Sequence, residues 1–225
     1  MSGSLEPPAR AWVALFDLDG TLTWRDTLLP YLAGFLLRRP WRVLRLWAAP
    51  YALYRYWRDR DRGELKSRSI RMIMGGAERA AVTAWTQRFV ETLKAHGKFR
   101  PLALAVLDAH RAGSDHLVLM SASPDLYVPE IGSMLGFELT VCTEVSWRGE
   151  RLDGRLSSQN CRGEEKLHRL QWLRQKYRGV PVIAYGNSAS DLDHMRAADR
   201  ALLVNGNMEA RRLAKKWGIE ASSWT

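Results

Sequence analysis

Four short apolar runs in the second half of the chain share the character of one near its start. They are Leu117 to Met120, Leu139 to Cys142, Val180 to Ala184 and Ala201 to Val204, and the first is Ala11 to Phe16. Each has the length and composition of a strand buried on both faces. Helical patterns separate the later runs: Pro124 to Leu135, Glu164 to Tyr177, Ser190 to Ala197 and Met208 to Trp217. Parallel strands need crossovers of this kind, because a tight hairpin cannot join them. The alternation therefore predicts an α/β core, Rossmann-like and three-layered, with a mostly parallel sheet between helices. Val145 to Leu156 is the exception, since Arg148-Gly149-Glu150 and Asp153-Gly154 read as hairpin punctuation.

About 100 residues separate the first run from the second, and none of them reads as a sheet strand. Helical patterns cover Thr27 to Leu37, Trp41 to Tyr56 with a break at Pro50, Arg62 to Met74, and Glu78 to His96. The expected organisation is an α/β core at 10–24 and 113–225 with an all-helical insertion at 25–112. At 225 residues and 46% apolar composition, the chain has enough to bury such a core. The opening MSGSLEPPAR has no apolar signal core, so no secretion is expected, and no apolar run is long enough for an ordinary spanning helix. Cys142 and Cys161 are too few for a disulfide framework, and the five histidines show no metal-ligand spacing.

Chemistry concentrates in Phe16-Asp17-Leu18-Asp19-Gly20-Thr21. An apolar strand ends and two carboxylates follow at i and i+2, on the same side of an extended chain. Ligands of open α/β sheets bind at the carboxyl ends of strands. Converging carboxylates repel unless a cation lies between them or one is protonated, and an all-oxygen set suits Mg²⁺. A calcium loop counted from Asp17 needs Gly and Glu where Leu22 and Leu28 stand, which excludes it. A plain turn is the bland alternative.

With these residues in view, the sequence resembles the haloacid dehalogenase superfamily, in particular its phosphoserine-phosphatase-like branch, subfamily IB. Asp17 to Thr21 is similar to the family's motif one. Leu117 to Ser123 is similar to motif two, with Ser121 after the apolar run. Lys166 is similar to the motif-three lysine, and Tyr185-Gly186-Asn187-Ser188-Ala189-Ser190-Asp191 is similar to motif four. The resemblance implies a phosphatase with a helical C1-type cap after motif one. It implies that Asp17 forms an aspartyl phosphate, that Asp19 is general acid and base, and that Ser121 and Lys166 complete the catalytic set. Thr21, Ser121, Ala122, Asp26 and Lys166 would contact substrate, and Asp17, Asp19, Asn187 and Asp191 would hold Mg²⁺. The family usually has Asp where Asn187 stands, which lowers the negative charge offered to the metal. Arg162 competes with Lys166 as the cation, and an N-cap is the equal alternative for Asp26. Ser123-Pro124-Asp125 reads as a helix start whose free amides meet phosphate beside Ser121.

The charge is uneven. Residues 38 to 71 hold eleven Arg or Lys against three acids, supplying +8 of the net +10, with three Trp and three Tyr among them. Trp and Tyr favour the membrane interface and Arg meets anionic headgroups. The insertion is therefore expected to touch an anionic membrane surface and admit an amphiphilic phosphate monoester. This is similar to the phosphatidylglycerophosphatase C branch. The expected location is cytoplasmic, with a peripheral station at the inner face of the membrane. The alternatives are a soluble cap selecting an amino-acid, histidinol or sugar phosphate, a phosphotransferase, and a dead fold that only binds lipid or nucleic acid. No nucleic-acid fold motif is present, so no specific nucleic-acid partner is expected. The oligomeric state is not legible.

Overall fold

The computed structural model describes residues 11–224. The opening stretch on which the signal reading rests, and residue 10 where the core is expected to begin, lie outside the described residues. Among the described residues eight strands occur in chain order: β1 (Val13–Phe16), β2 (His116–Pro124), β3 (Leu139–Thr143), β4 (Val145–Arg148), β5 (Arg151–Leu156), β6 (Val182–Gly186), β7 (Arg200–Val204) and β8 (Glu220–Ser222). Six make one sheet in the order β3-β2-β1-β6-β7-β8, with every neighbouring pair parallel. The remaining two form the expected antiparallel hairpin.

The helices are α1 (Leu28–Leu37), α2 (Ala49–Asp59), α3 (Arg62–Met74), α4 (Arg79–Ala95), α5 (Pro101–Ala112), α6 (Val128–Met134), α7 (Glu164–Lys176), α8 (Leu192–Ala197) and α9 (Met208–Lys216). A 3-10 segment, Pro40–Ala48, joins α1 to α2. The break expected at Pro50 falls at this junction, where Pro50 sits in the first turn of α2 and lacks only a donor that is spare there. Among the described residues no helix is long and apolar enough to cross a membrane.

Strand alternation divides the core. Ala14 and Phe16 of β1, Leu117 and Leu119 of β2, and Tyr185 of β6 face the cluster that holds Tyr31, Phe35, Met74, Trp85 and Phe89 of the insertion helices. Val13, Leu15, Val118, Met120, Val182 and Ala184 face the other way, onto Leu170, Leu173, Leu192 and Met195 of α7 and α8. Period-two alternation with both faces apolar is what a sheet covered on both sides requires. Val13 pairs with His116 on one side and Val182 on the other, so β1 is central and its carboxyl end opens at mid-sheet. Phe16 is fully buried, worth about 1.5–3 kcal/mol.

The helix expected from Pro124 is corrected. Residues 121–124 continue β2: Pro124 pairs with Thr143 after an irregularity, and Asp125 N–H donates to the Thr143 carbonyl at 2.9 Å. Pairing with β3 holds the segment extended, and α6 starts only at Val128. Ser121 therefore has no helix start beside it. Two elements are additional to the sequence reading: α5, with Pro101 at its first position, and the short edge strand β8.

Two features seat the insertion. Asp61 caps α3 by accepting the Glu64 N–H at 2.9 Å, as an N-cap acid should. Gly154 of β5, at φ 80°, lies so close to α3 that a Cβ there would sit 2.7 Å from the Arg71 Cα. Only glycine tolerates both that backbone and that approach, and the result is a helix pressed directly against the hairpin.

Candidate active site

The carboxyl end of β1 turns sharply through Leu18–Leu22, and Gly20 takes φ 84° within the turn. A Cβ on Gly20 would stand 2.0 Å from Asn187 Nδ2, so the turn and the end of β6 meet only because residue 20 is glycine. This brings motif one against the residues after β6.

Asp17 is anchored through its N–H to the Tyr185 carbonyl at 2.9 Å. Its carboxylate takes a bond from Lys166 Nζ at 2.6 Å on Oδ1 and from Thr21 Oγ1 at 3.3 Å on Oδ2. The same ammonium donates to Asp191 Oδ1 at 2.7 Å. Asp191 Oδ2 accepts from Ser188 Oγ at 2.7 Å and from the Ser188 N–H at 3.0 Å, in the capping box that leads into α8. Asp17, Lys166 and Asp191 are respectively 7%, 2% and 2% exposed. Charges this buried persist only when paired.

Asp19 is held differently. Oδ1 accepts from the Thr27 N–H at 2.8 Å and Thr27 Oγ1 at 2.7 Å, and Oδ2 accepts from Ser123 Oγ at 2.6 Å. Tyr127 OH lies 3.0 Å from Thr27 Oγ1, behind it. Burial raises the Asp19 pKa, with Ser123 and Thr27 opposing the rise. Burial also raises that of Asp17, against Lys166 and with help from Asp191. At Asp191 burial is outweighed by Lys166, His194 and the Ser188 bonds, and its pKa falls. One cation is shared by two acids, and the better hydrogen-bonded acid keeps the charge. Lys166 is itself raised, because Asp17 and Asp191 overcome the cost of its burial.

A cavity of about 730 Å³ opens above these groups. Asp17, Asp19, Lys66, Lys166, Asn187 and Asp191 line it, and Asp26 and Ala122 lie on its wall. The structure thus gathers most of the residues named from sequence. Ser121 and Thr21 are not on the wall: both are fully buried, Ser121 Oγ accepts from the Ser123 N–H at 3.0 Å, and Thr21 points at Asp17. The Ala122 carbonyl is occupied by Thr143 Oγ1 at 2.7 Å and by Lys66 Nζ. Asp26 caps α1, accepting from the Leu28 and Leu29 N–H groups at 3.0 and 3.1 Å, while it faces the cavity. Arg162, the competing cation, lines the cavity but forms no ion pair with Asp17 among the described residues, a position Lys166 holds.

Several contacts of the site have no sequence signal. Ser123 and Thr27 hold Asp19 across separations of 104 and 8 residues, and only the fold makes them partners. Asn160 accepts from Lys66 Nζ at 2.6 Å, tying α3 to the core. Lys66 is held down to a pKa of about 8, chiefly by burial, with Asp19 opposing.

The donor set fits a hard divalent cation. Carboxylates of Asp17 and Asp191, the Asn187 amide and the backbone at Asp19 are oxygen donors, and the paired acids Asp17 and Asp191 share the one Lys166 ammonium. That leaves negative charge which a cation would neutralise.

Comparison with known proteins places the fold and the family. The model of the haloacid dehalogenase-like hydrolases matches residues 14–196. The protein CicA of Caulobacter vibrioides is 36% identical over 191 residues, 82% of each chain. A protein of unknown function from Bordetella pertussis Tohama I superposes with a TM-score of 0.80 at 22% identity, covering 96% of this chain and 100% of that one. A phosphoserine phosphatase described as a phospho-aspartyl intermediate analogue superposes at 0.64 with 14% identity, over 96% and 95%. These likenesses establish the fold, and the match over residues 14–196 establishes the family: the chain belongs to the haloacid dehalogenase-like hydrolases.

Proposed function

We propose that the protein is a Mg²⁺-dependent phosphomonoester hydrolase acting through an acyl phosphate on Asp17, with an amphiphilic alcohol as the leaving group. The observation that carries this reading is the different treatment of two neighbouring acids in one cavity. Burial raises the pKa of both, but Asp17 is bonded to a buried ammonium that opposes the rise, while Asp19 is held by two hydroxyls and the Thr27 N–H and, among the described residues, by no ammonium. The first is equipped as a nucleophile and the second as an acid.

In the first step an Asp17 oxygen attacks phosphorus and the ester P–O bond breaks, while Asp19 gives its proton to the departing alkoxide. In the second, Asp19 takes a proton from water, whose oxygen attacks phosphorus and frees Asp17 and inorganic phosphate. Lys166 balances charge on Asp17 throughout. Asp17, Asp191, Asn187 and the Asp19 backbone would hold Mg²⁺, which when bound neutralises charge on the phosphoryl oxygens. Asn187 contributes no charge, so binding should be weaker than with an acid there. Thr21 and Ser121 support the Asp17 loop and the end of β2 from beneath. Residues 25–112 act as the cap.

The apolar side of the cavity supports an amphiphilic substrate. Leu28, Leu29, Leu32 and Leu65 also line it. Outside it, Trp41, Leu44, Trp47, Tyr51, Leu53 and Trp57 are each more than half exposed on Pro40–Ala48 and α2, among the arginines of that window. Exposed apolar surface on this scale is unusual for an isolated chain. A cytoplasmic enzyme seated peripherally on an anionic membrane explains it. Lys66 favours a second reading, in which its ammonium grips the carboxylate of a small soluble phosphate ester. A phosphate-release screen of lipid and soluble monoesters, with and without Mg²⁺, separates the two. The favoured reading expects Mg²⁺-dependent release with lipid esters ahead. No release from any ester would overturn both.

A further inference from the structure

Beside the catalytic cavity lies a second, open groove of about 1020 Å³, between the start of α3 and segment 155–163. Arg60, Arg62, Arg68, Arg71, Arg155 and Arg162 line it, against Asp61 and Glu64. Both acids are already engaged. Asp61 caps α3, and Glu64 pairs with Arg68 at 2.6 Å. Arg155 has Asp153 no nearer than 3.8 Å. Among the described residues, no carboxylate lies within 4.0 Å of the guanidinium of Arg60, Arg62, Arg71 or Arg162. Burial, and then the proximity of Arg62, lowers the Arg162 pKa.

Surface arginines are ordinarily interleaved with acids. A concave wall of unneutralised guanidinium groups concentrates positive potential and presents donors matched to phosphate oxygens. Among the described residues Leu156 is the only large apolar one on this wall, so the groove suits a charged group and not an acyl chain. Its walls are fixed by the Gly154–Arg71 approach and by the bond from Lys66 to Asn160. It also opens into the catalytic cavity, since Arg62, Asn160, Arg162 and Ser190 line both.

Building on the phosphomonoesterase reading, we propose that this groove receives a second phosphoryl group of the same substrate, joined to the scissile monoester by a short linker. The ester is held at both ends: one phosphorus lies over Asp17, and the other is gripped by the arginines of α3 and segment 155–163. Two sources have this chemistry, the phosphodiester of a lipid headgroup and the free phosphate of a soluble bisphosphate.

The test compares propane-1,3-diol monophosphate, its bisphosphate, and the monophosphate carrying a methyl phosphodiester at the other end, the last with and without a dihexanoylglycerol in place of methyl. The second phosphorus should raise kcat/KM at least ~10-fold, through KM, as charge-assisted contacts to phosphate would. A gain confined to the bisphosphate points to a soluble substrate, and a gain with both diesters points to a headgroup. Arg71 and Arg155 line the groove but not the catalytic cavity. The double variant Arg71→Gln/Arg155→Gln should lose the gain and keep the monophosphate rate. Equal kcat/KM across the series in the wild type overturns the groove assignment and leaves the phosphatase reading standing. Inactivity toward the whole series strikes at the phosphatase reading. In that event titration calorimetry with the same compounds still decides the groove: the bisphosphate binds at least ~10-fold tighter than the monophosphate, or the assignment fails.

Discussion

Ser123 Oγ donates to Asp19 Oδ2 at 2.6 Å, linking the end of β2 to the second acid of the loop after β1. The two residues lie 104 positions apart, and parallel pairing of β1 with β2 brings them together. The bond fixes one carboxylate oxygen, while Thr27 fixes the other. Ser123→Ala should therefore lower kcat toward an aryl phosphate by about 10-fold and change KM little, since a misplaced proton donor slows chemistry more than binding. Steady-state kinetics would check this. A wild-type kcat in a folded variant would deny Ser123 its positioning role.

Lys166 carries the charge of a buried cluster. Lys166→Ala leaves Asp17 and Asp191 facing each other without a cation, and breaking a buried pair in this way costs about 3–5 kcal/mol. Urea denaturation should show that loss without metal, and millimolar Mg²⁺ should restore more stability to the variant than it adds to wild type. Equal responses to Mg²⁺ would mean that the metal does not bind among these acids.

Asp125 supplies a pH-dependent term away from the site. Burial raises its carboxyl from 3.8 to about 6, with the Val145 N–H opposing at 3.1 Å. Between these two values the folded state binds more protons than the unfolded chain, so this group favours folding as pH falls from 6 to 4. Its charge opposes folding above 6. Asp125→Asn, which keeps an acceptor for Val145, should raise Tm at pH 7.5, with the gain shrinking to nothing near pH 4. A difference that does not vary with pH would remove the carboxyl as its cause.

The exposed aromatics give a separate test. Trp47 and Trp57 are 83% and 69% exposed, so alanine at both should leave Tm and aryl phosphate turnover unchanged. Sedimentation with phosphatidylglycerol vesicles at low salt should fall by about 10-fold or more. Absence of wild-type binding to these vesicles would exclude the membrane surface as partner.

Some of this was legible in the residues and some was not, for physical reasons. The strand ending at Phe16 announces itself because a run buried on both faces must be apolar throughout. α3 matches its expected span, Arg62 to Met74, because Asp61 and Gly75 mark its ends locally. Ser123-Pro124-Asp125 misleads because the same residues suit a helix start, and only pairing of Pro124 with Thr143 decides otherwise. β8 has three exposed residues and leans on β7 alone, so no periodicity betrays it. Asp17, Asp19, Lys166, Asn187 and Asp191 each stand at a strand end or helix start, where a motif marks them. Thr27, Ser123 and Asn160 support the site through contacts between segments, which no local pattern encodes.

The central claim is that phosphorus passes through Asp17. Borohydride reduces an acyl phosphate to an alcohol, so quenching the enzyme during turnover of an aryl phosphate should convert Asp17 to homoserine, read by peptide mass spectrometry. The account predicts that conversion at Asp17, dependent on Mg²⁺ and substrate, and none at Asp19 or Asp191. Steady turnover with Asp17 unmodified, or undiminished turnover by Asp17→Asn, would contradict it.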